Sequence, residues 1–167
     1  MTSDSHLFNR RHVVHGVAAA ICLQATAADA TAQDPWAGSP WRKLTDADWR
    51  SRLPLASYDV LRQEGTERPF TSPLEREHRA GAFTCRGCGL LLFKSNWKFD
   101  SGTGWPSFYT AIVGALAKKP DFAIGIPRTE YHCARCLGHQ GHVFDDGPAP
   151  THLRYCNNGV ALVFTPA

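Results

Sequence analysis

The sequence predicts a mainly β domain with two short helices in front of it, on three observations. Beyond Gly65 the chain breaks into short β-rich segments, many of them separated by Gly, Pro, Asn and Asp. Ahead of Gly65, two short stretches carry helix start and stop signals. Two Cys-x-x-Cys units, Cys85-Arg-Gly-Cys88 and Cys133-Ala-Arg-Cys136, lie within the β-rich part. A thioredoxin-like redox pair would sit in a βαβ context instead.

In chain order, Gln33–Arg42 contains Pro35, Gly38, Ser39 and Pro40 and reads as a linker arm over residues 33–43. Thr45 is a helix N-cap with Asp46 and Asp48 in the first turn, which predicts a helix over Asp46–Leu53. Pro54 interrupts it. A second helix is expected over Leu55–Gln63, with Leu55, Val60 and Leu61 apolar and Gly65 as its left-handed stop. Strands are expected at 81–85, 90–94, 107–110, 122–124, 128–133, 153–156 and 160–165, within one domain spanning 44–167.

Residues 1–32 read as a signal peptide. Arg10-Arg11 precede a weakly apolar stretch over Val13–Leu23, and Ala30-Thr31-Ala32 is a small-residue cleavage site. The adjacent arginines are twin-arginine-like, so export to the periplasm in a folded state is expected. Cleavage there removes Cys22 and the sole methionine, Met1.

The 167 residues hold 18 Lys and Arg against 15 Asp and Glu, a net charge of +3. That is too mild for nucleic acid or a membrane surface as partner. No apolar run reaches the roughly 20 residues of a membrane span. A monomer is expected.

Two residues between cysteines let a tight turn aim both sulfurs at one point. Two such turns supply the four thiolates of a closed, structural zinc site: Cys85, Cys88, Cys133 and Cys136, one Zn2+ per chain. Disulfides are the rival in an oxidising compartment. Setting these and the leader aside leaves Cys156, in Arg154-Tyr-Cys-Asn-Asn-Gly159. It is a reactive thiol, an intermolecular bridge or a small buried hydrophobe. Arg154, two residues away on an extended strand, shares its face and favours a thiolate, and Asn158 shares that face if the strand continues.

Several segments, in order, resemble methionine-R-sulfoxide reductases, the MsrB family. They are Gly65-Thr-Glu-Arg-Pro-Phe70, Cys85-Arg-Gly-Cys-Gly89, Lys98-Phe-Asp-Ser-Gly-Thr-Gly-Trp-Pro-Ser-Phe108 and Arg128-Thr-Glu130. Cys133-Ala-Arg-Cys136, Gly138-His-Gln-Gly-His-Val-Phe-Asp-Asp-Gly-Pro148 and Arg154-Tyr-Cys156 complete the series. The likeness runs from about Leu44 to Phe164. It implies two antiparallel sheets and a structural four-cysteine zinc away from the active site. It carries the nucleophile onto Cys156, the substrate-pocket tryptophan onto Trp105 and the active-site histidines onto His139 and His142. Supporting roles fall on Arg154 and Asn158.

The chemistry implied is attack of a Cys156 thiolate on a sulfoxide sulfur. A histidine at 139 or 142 serves as acid and Trp105 as an apolar wall for the S-methyl group. Substrates would be oxidised proteins or free methionine sulfoxide. Methionine leaves and a sulfenic acid remains. Many relatives place a resolving cysteine at the position of Thr103, and here there is none. An external thiol, thioredoxin-like or of low molecular weight, is therefore expected to reduce the sulfenic acid directly. Asn157, Gly159, Leu137 and Gln140 also depart from the commonest family residues. Two other readings compete: a non-catalytic zinc-ribbon module binding a ligand or partner, and a disulfide oxidoreductase using a Cys-x-x-Cys. Half a metal site is the rival for His139-x-x-His142.

Overall fold

In the computed structural model, residues 34–167 are described; the expected signal peptide and Cys22 lie outside the described residues. The segment before the first helix is seated on the domain. Trp41, in a 3-10 turn over Pro40–Lys43, stacks on Trp49 at 6.0 Å between ring centroids. Arg42 Nη1 donates to Asp34 Oδ2 at 2.6 Å, and its Nη2 donates to the Ala134 carbonyl at 2.5 Å.

Helix α1 spans Asp46–Arg52 and opens with a capping box. Asp48 N–H donates to Thr45 Oγ1, and Thr45 N–H donates to Asp48 Oδ2 at 2.9 Å, satisfying two otherwise free donors. Helix α2 covers Leu55–Gln63, as its sequence predicts, and buries Ser57, Tyr58, Val60 and Leu61. Leu55, the first apolar residue of that helix, is exposed. The left-handed stop is Glu64, with φ 56°, and not Gly65. Gly65 comes one residue later and donates its N–H to the Asp59 carbonyl at 3.0 Å.

Nine strands follow. They are β1 (Gly81–Cys85), β2 (Leu91–Lys94), β3 (Lys98–Phe99), β4 (Ser107–Phe108), β5 (Leu116–Asp121), β6 (Arg128–Cys133), β7 (His139–Phe144), β8 (Arg154–Asn157) and β9 (Leu162–Pro166). They form two antiparallel sheets, ordered β2-β1-β9 and β3-β4-β8-β7-β6-β5. The expected strand over 122–124 is instead the loop of the β5–β6 hairpin. The strands at β3, β5 and β7 lie outside the segments that the composition marks as β-rich.

Aromatic side chains from both sheets meet in the core. Phe93 of β2 stacks on Phe108 of β4 at 4.1 Å, and Phe83 of β1 meets the edge of Phe108 at 5.0 Å. Tyr155 and Tyr131 of the larger sheet complete the cluster, and both are buried. Such rings dominate core energetics, and truncating Phe93 to alanine costs about 3–5 kcal/mol. Because successive side chains alternate faces, the neighbours of Tyr155 point away from this core. Arg154 and Cys156 are thereby turned to the opposite face of the large sheet. Among the described residues no helix is long and apolar enough to cross a membrane.

Candidate active site and metal centre

The two Cys-x-x-Cys units converge. The four Sγ atoms of Cys85, Cys88, Cys133 and Cys136 lie within 4.8 Å of one another, and all four residues are buried. Cys85 Sγ is 3.6 Å from Cys136 Sγ, and Cys88 Sγ is 3.5 Å from Cys133 Sγ. A tetrahedron with metal–sulfur bonds of about 2.3 Å has edges of about 3.8 Å, so the spacing fits one metal ion. Each knuckle is a tight turn in which the N–H four residues on returns to the first cysteine. Gly89 donates to the Cys85 carbonyl at 2.7 Å and Leu137 to the Cys133 carbonyl at 2.9 Å. Gly89 has φ 71° and Leu137, despite its side chain, has φ 61°. Second contacts brace the cluster: Arg62 Nη1 donates to the Cys136 carbonyl at 3.0 Å, and Gln140 Nε2 donates to Cys85 Sγ at 3.4 Å.

Cys156 lies elsewhere, in the large sheet. Its register partner on β7 is His142, whose own partner on β6 is Glu130. These three side chains therefore lie in one row across three strands, with cross-strand neighbours roughly 4.5–5.5 Å apart. Gly141 makes this approach possible. A Cβ there would stand 1.9 Å from the Cys156 carbonyl oxygen.

A cleft of ≈ 120 Å³ opens above the row, lined by Trp105, His142, Phe144, Cys156 and Asn158 among others. Trp105 comes from the loop before β4 and donates its indole N–H to the Glu67 carbonyl at 3.1 Å. Gly104 beside it has φ 88°, and Phe70 packs so closely that any Cβ there would clash. Asn158 is buried with its side chain already engaged. Its Oδ1 accepts from the Glu67 N–H at 2.9 Å, and its Nδ2 donates to the Gln140 carbonyl at 3.0 Å. Glu67 in turn accepts from the N–H groups of Gly159 and Val160. Thus the segment around Glu67 pins two walls of the cleft.

The histidines differ. His142 lines the cleft, and its Nε2–H donates to Asp121 Oδ2 at 2.7 Å. Burial pushes its pKa down, against the pull of Asp121. His139 lies behind it, ring centroids 5.4 Å apart, lining an adjoining cavity with Glu130 and Asp121. Its Nδ1–H donates to Glu130 Oε1 at 2.7 Å, and its buried Nε2 makes no hydrogen bond to the protein. Glu130 Oε2 also accepts from His132 Nδ1 at 3.0 Å. Burial works to raise Glu130, but those two imidazole bonds outweigh it and hold the carboxyl at about 2.

Burial raises the Cys156 thiol above its ordinary value, and the Arg154 charge and the Thr103 hydroxyl act against that rise. Arg154 does not line the cleft. It forks onto Asp146, at 2.8 Å from Nε to Oδ1 and 2.9 Å from Nη2 to Oδ2, and lies over the Phe144 ring. Every expected site residue therefore falls in or immediately behind one cleft, or in the sulfur cluster. Glu67, Asp121 and Glu130 hold them there; Glu67 and Glu130 lie in segments that carry the family resemblance but have no role assigned by it, and Asp121 lies outside those segments.

Comparison with known proteins decides the family. The SelR domain model matches residues 53–166. The chain is 50% identical over 123 residues to a peptide methionine sulfoxide reductase MsrB of Bradyrhizobium diazoefficiens, covering 73% of this chain and 88% of that one. It is 51% identical over 123 residues to the MsrB of Thiobacillus denitrificans, covering 73% and 93%, and 53% identical over 120 residues to that of Pseudomonas putida, covering 71% and 90%. This chain belongs to the MsrB family. The two antiparallel sheets and the four-cysteine cluster agree with that membership. In this MsrB chain Thr103, and not a cysteine, stands beside the Cys156 thiol. Among the described residues the remaining four cysteines are all in the cluster.

Proposed function

We propose that this chain reduces the R epimer of methionine sulfoxide, free or in proteins, to methionine, with Cys156 as nucleophile and an external thiol as reductant. The observation that carries the reading is Cys156 and His142 facing each other across β7 and β8 in a cleft walled by Trp105. Membership of the MsrB family supplies the reaction class.

A buried thiol with a raised pKa keeps its proton until a base accepts it. His142 is suited to that task. Its Nε2–H is committed to Asp121, which leaves Nδ1 as the acceptor, and burial favours its neutral form. The thiol proton moves to His142 as sulfur attacks the sulfoxide sulfur, and the resulting imidazolium returns it to the departing oxygen. The Cys156 sulfur bonds to the methionine sulfur as the S–O bond breaks and the oxygen departs as hydroxide; a hydroxide then adds to the Cys156 sulfur, the S–S bond breaks, methionine leaves, and Cys156 holds the oxygen as sulfenic acid. No net proton is gained or lost. Two external thiols then convert the sulfenic acid back to Cys156 thiol, yielding one disulfide and one water. Arg154 favours the thiolate by its charge. Trp105 and Phe144 offer the apolar wall for the S-methyl group. His139 with Glu130, and Asn158 with Glu67, position His142 and the Cys156 strand.

The metal is zinc, held by Cys85, Cys88, Cys133 and Cys136; an all-sulfur tetrahedral donor set suits it. Bound there, it supplies cross-linking of the two knuckles and no reaction chemistry. Residues 1–32 direct export by a twin-arginine-type signal, a reading supported by Arg10-Arg11 and Ala30-Thr31-Ala32.

The test is consumption of resolved R and S epimers with dithiothreitol. R-selective loss that vanishes in Cys156→Ser is expected. Loss of both epimers alike, or an undiminished variant, contradicts the proposal.

A further inference from the structure

The dipeptide Asn158-Gly159 carries a chemistry that the reduction does not use. Of the four asparagines in the chain, Asn158 alone precedes a glycine. Glycine has no Cβ to shield its backbone nitrogen, so that nitrogen reaches the preceding asparagine side chain with little obstruction. Having lost its proton, the nitrogen attacks the asparagine Cγ. The bond from Cγ to Nδ2 breaks, Nδ2 leaves with that proton as ammonia, and a five-membered succinimide closes. Water then opens the ring at either carbonyl and leaves aspartate or isoaspartate. No electrons are gained or lost, and this route is one reason asparagine ranks as a thermolabile residue.

The folded chain holds this reaction off in several ways. Asn158 is buried, and its side-chain amide is engaged at both ends, by the Glu67 N–H at 2.9 Å and the Gln140 carbonyl at 3.0 Å. Its backbone is extended, with φ −69° and ψ 122°, which turns the Gly159 nitrogen away from the Asn158 side chain. The Gly159 N–H donates to Glu67 Oε1, and the Val160 N–H donates to Oε2 at 3.1 Å. The carboxylate thus holds the one proton that the nitrogen must lose, and its charge opposes the anion left behind. Glycine is nonetheless required at this position. A Cβ there would stand 1.9 Å from Ser72 Oγ and 2.6 Å from Ser72 Cβ. The packing that demands glycine creates the weak point, and Glu67 covers it.

We propose that Asn158-Gly159 is a deamidation site of this chain, kept closed by the Glu67 carboxylate, and that opening of the Glu67 segment commits the cleft to permanent damage. The main-chain carbonyl of Glu67 also holds the Trp105 indole at 3.1 Å, so one local opening frees Trp105, Asn158 and Gly159 together. An aspartate at 158 has no N–H to offer the Gln140 carbonyl and sets an unpaired charge in the same cleft as Cys156. An isoaspartate lengthens the backbone directly after β8. Either product outlasts the opening that allowed it, so a transient fluctuation becomes a lasting loss.

The test follows residue 158 by peptide mass spectrometry in the folded, metal-loaded chain, held at mildly alkaline pH where the amide proton is lost more readily. The same chain unfolded in urea with a chelator gives the unguarded rate. The folded chain should deamidate at least about thirtyfold more slowly than the unfolded one. Glu67→Ala removes the carboxylate and keeps the main-chain bonds to Asn158 and Trp105; folded, it should deamidate about tenfold faster than wild type. Glu67→Gln keeps the shape without the charge, should gain about threefold, and decides the matter if Glu67→Ala does not fold. The pair Ser72→Gly, Gly159→Ser moves the side chain to the other side of the contact and should slow the reaction even in urea. A folded Glu67 variant no faster than wild type overturns the proposal, and so does a wild type equally fast folded and unfolded. Activity on the sulfoxide should fall in step with the modified fraction; a modified chain that keeps full activity overturns the claimed damage to the cleft. The mass readout does not use the reductase reading, so protein inactive on sulfoxide from the outset sinks that reading alone.

Discussion

Cys133 and Cys156 sit two strands apart in the same sheet, on β6 and β8, and differ in almost every respect that matters to a thiol. Cys133 is fully buried, and its neighbours within hydrogen-bonding reach are other sulfurs. Four such thiols packed together cannot all ionise without a cation between them, so the arrangement is a ligand set before it is anything else. Cys156 is partly open to a cleft and has an arginine two residues away, a threonine hydroxyl beside it and a histidine opposite. Its surroundings offer a proton acceptor and a partner charge, but no second sulfur. The two regions show that the element alone decides little. On the proposed reading, the geometry of the neighbours determines whether sulfur binds or reacts.

The largest expected effects come from serine placed at each thiol in turn. Cys156→Ser should lower activity by about a thousandfold or more and leave folding and metal content unchanged. Cys133→Ser should do the reverse at the level of structure: lost zinc and a loss of several kcal/mol of stability, with activity falling as a consequence. Zinc analysis and thermal unfolding on both variants separate the regions; a Cys156→Ser protein that sheds metal would contradict the division.

Next in size is Glu130, which anchors two histidines, His132 and His139. Its folded pKa of about 2 lies below the ordinary 4.5, so its contribution to stability is full above about 4.5 and disappears as pH falls through about 2. That contribution is roughly 3 kcal/mol. Glu130→Gln should therefore flatten the acid limb of the stability curve, read by denaturant unfolding at stepped pH. It should also reduce kcat more than it changes KM, by about tenfold.

A smaller effect concerns thiol ionisation. Burial holds the Cys156 pKa up and the Arg154 charge pulls it down, so Arg154→Met should push it higher still. The pH dependence of alkylation by iodoacetamide measures this in the resting protein. A midpoint that stays in place or falls would contradict the assignment. The smallest expected change belongs to Gln140, whose Nε2 donates to Cys85 Sγ and whose Oε1 accepts from Asn157 Nδ2 of β8 at 3.4 Å. Gln140→Leu should weaken zinc retention in a chelator competition and slow the reaction by a few-fold, about 1 kcal/mol each.

Much of this was readable from local sequence. Gly81–Cys85 and Arg128–Cys133 emerge as strands with the predicted bounds, because β-rich composition and turn residues at their ends mark them. β5 hides because it is an edge strand: Lys118, Lys119 and Pro120 blunt a free edge and argue against a strand to any local reading. The apolar residues just beyond it, Phe122–Ile124, look like the strand and form the hairpin loop. β7 hides because His139-Gln-Gly-His142 carries site residues where an ordinary strand would carry β-branched ones. At the site, both cysteine knuckles stand out by type and spacing and Cys156 by what they leave over, while the resemblance to the MsrB family supplies Trp105 and the histidines. Glu130 and Glu67 lie in segments that carry that resemblance but have no role in it, and Asp121 lies outside them. Each acts on partners from other segments of the chain, and a lone carboxylate has no signature until the fold supplies its neighbour.

The central claim is that one thiol reacts while four hold a metal. It is tested most directly by a single turnover without reductant. Zinc-loaded protein lacking residues 1–32 is mixed with excess methionine-R-sulfoxide and examined by intact and peptide mass spectrometry together with zinc analysis. The account predicts one methionine formed per chain, one oxygen atom gained at Cys156 and trappable by a sulfenic-acid reagent, and zinc still bound. A chain that has instead lost two hydrogens to a disulfide between Cys156 and Cys85, Cys88, Cys133 or Cys136, with zinc released, would contradict it.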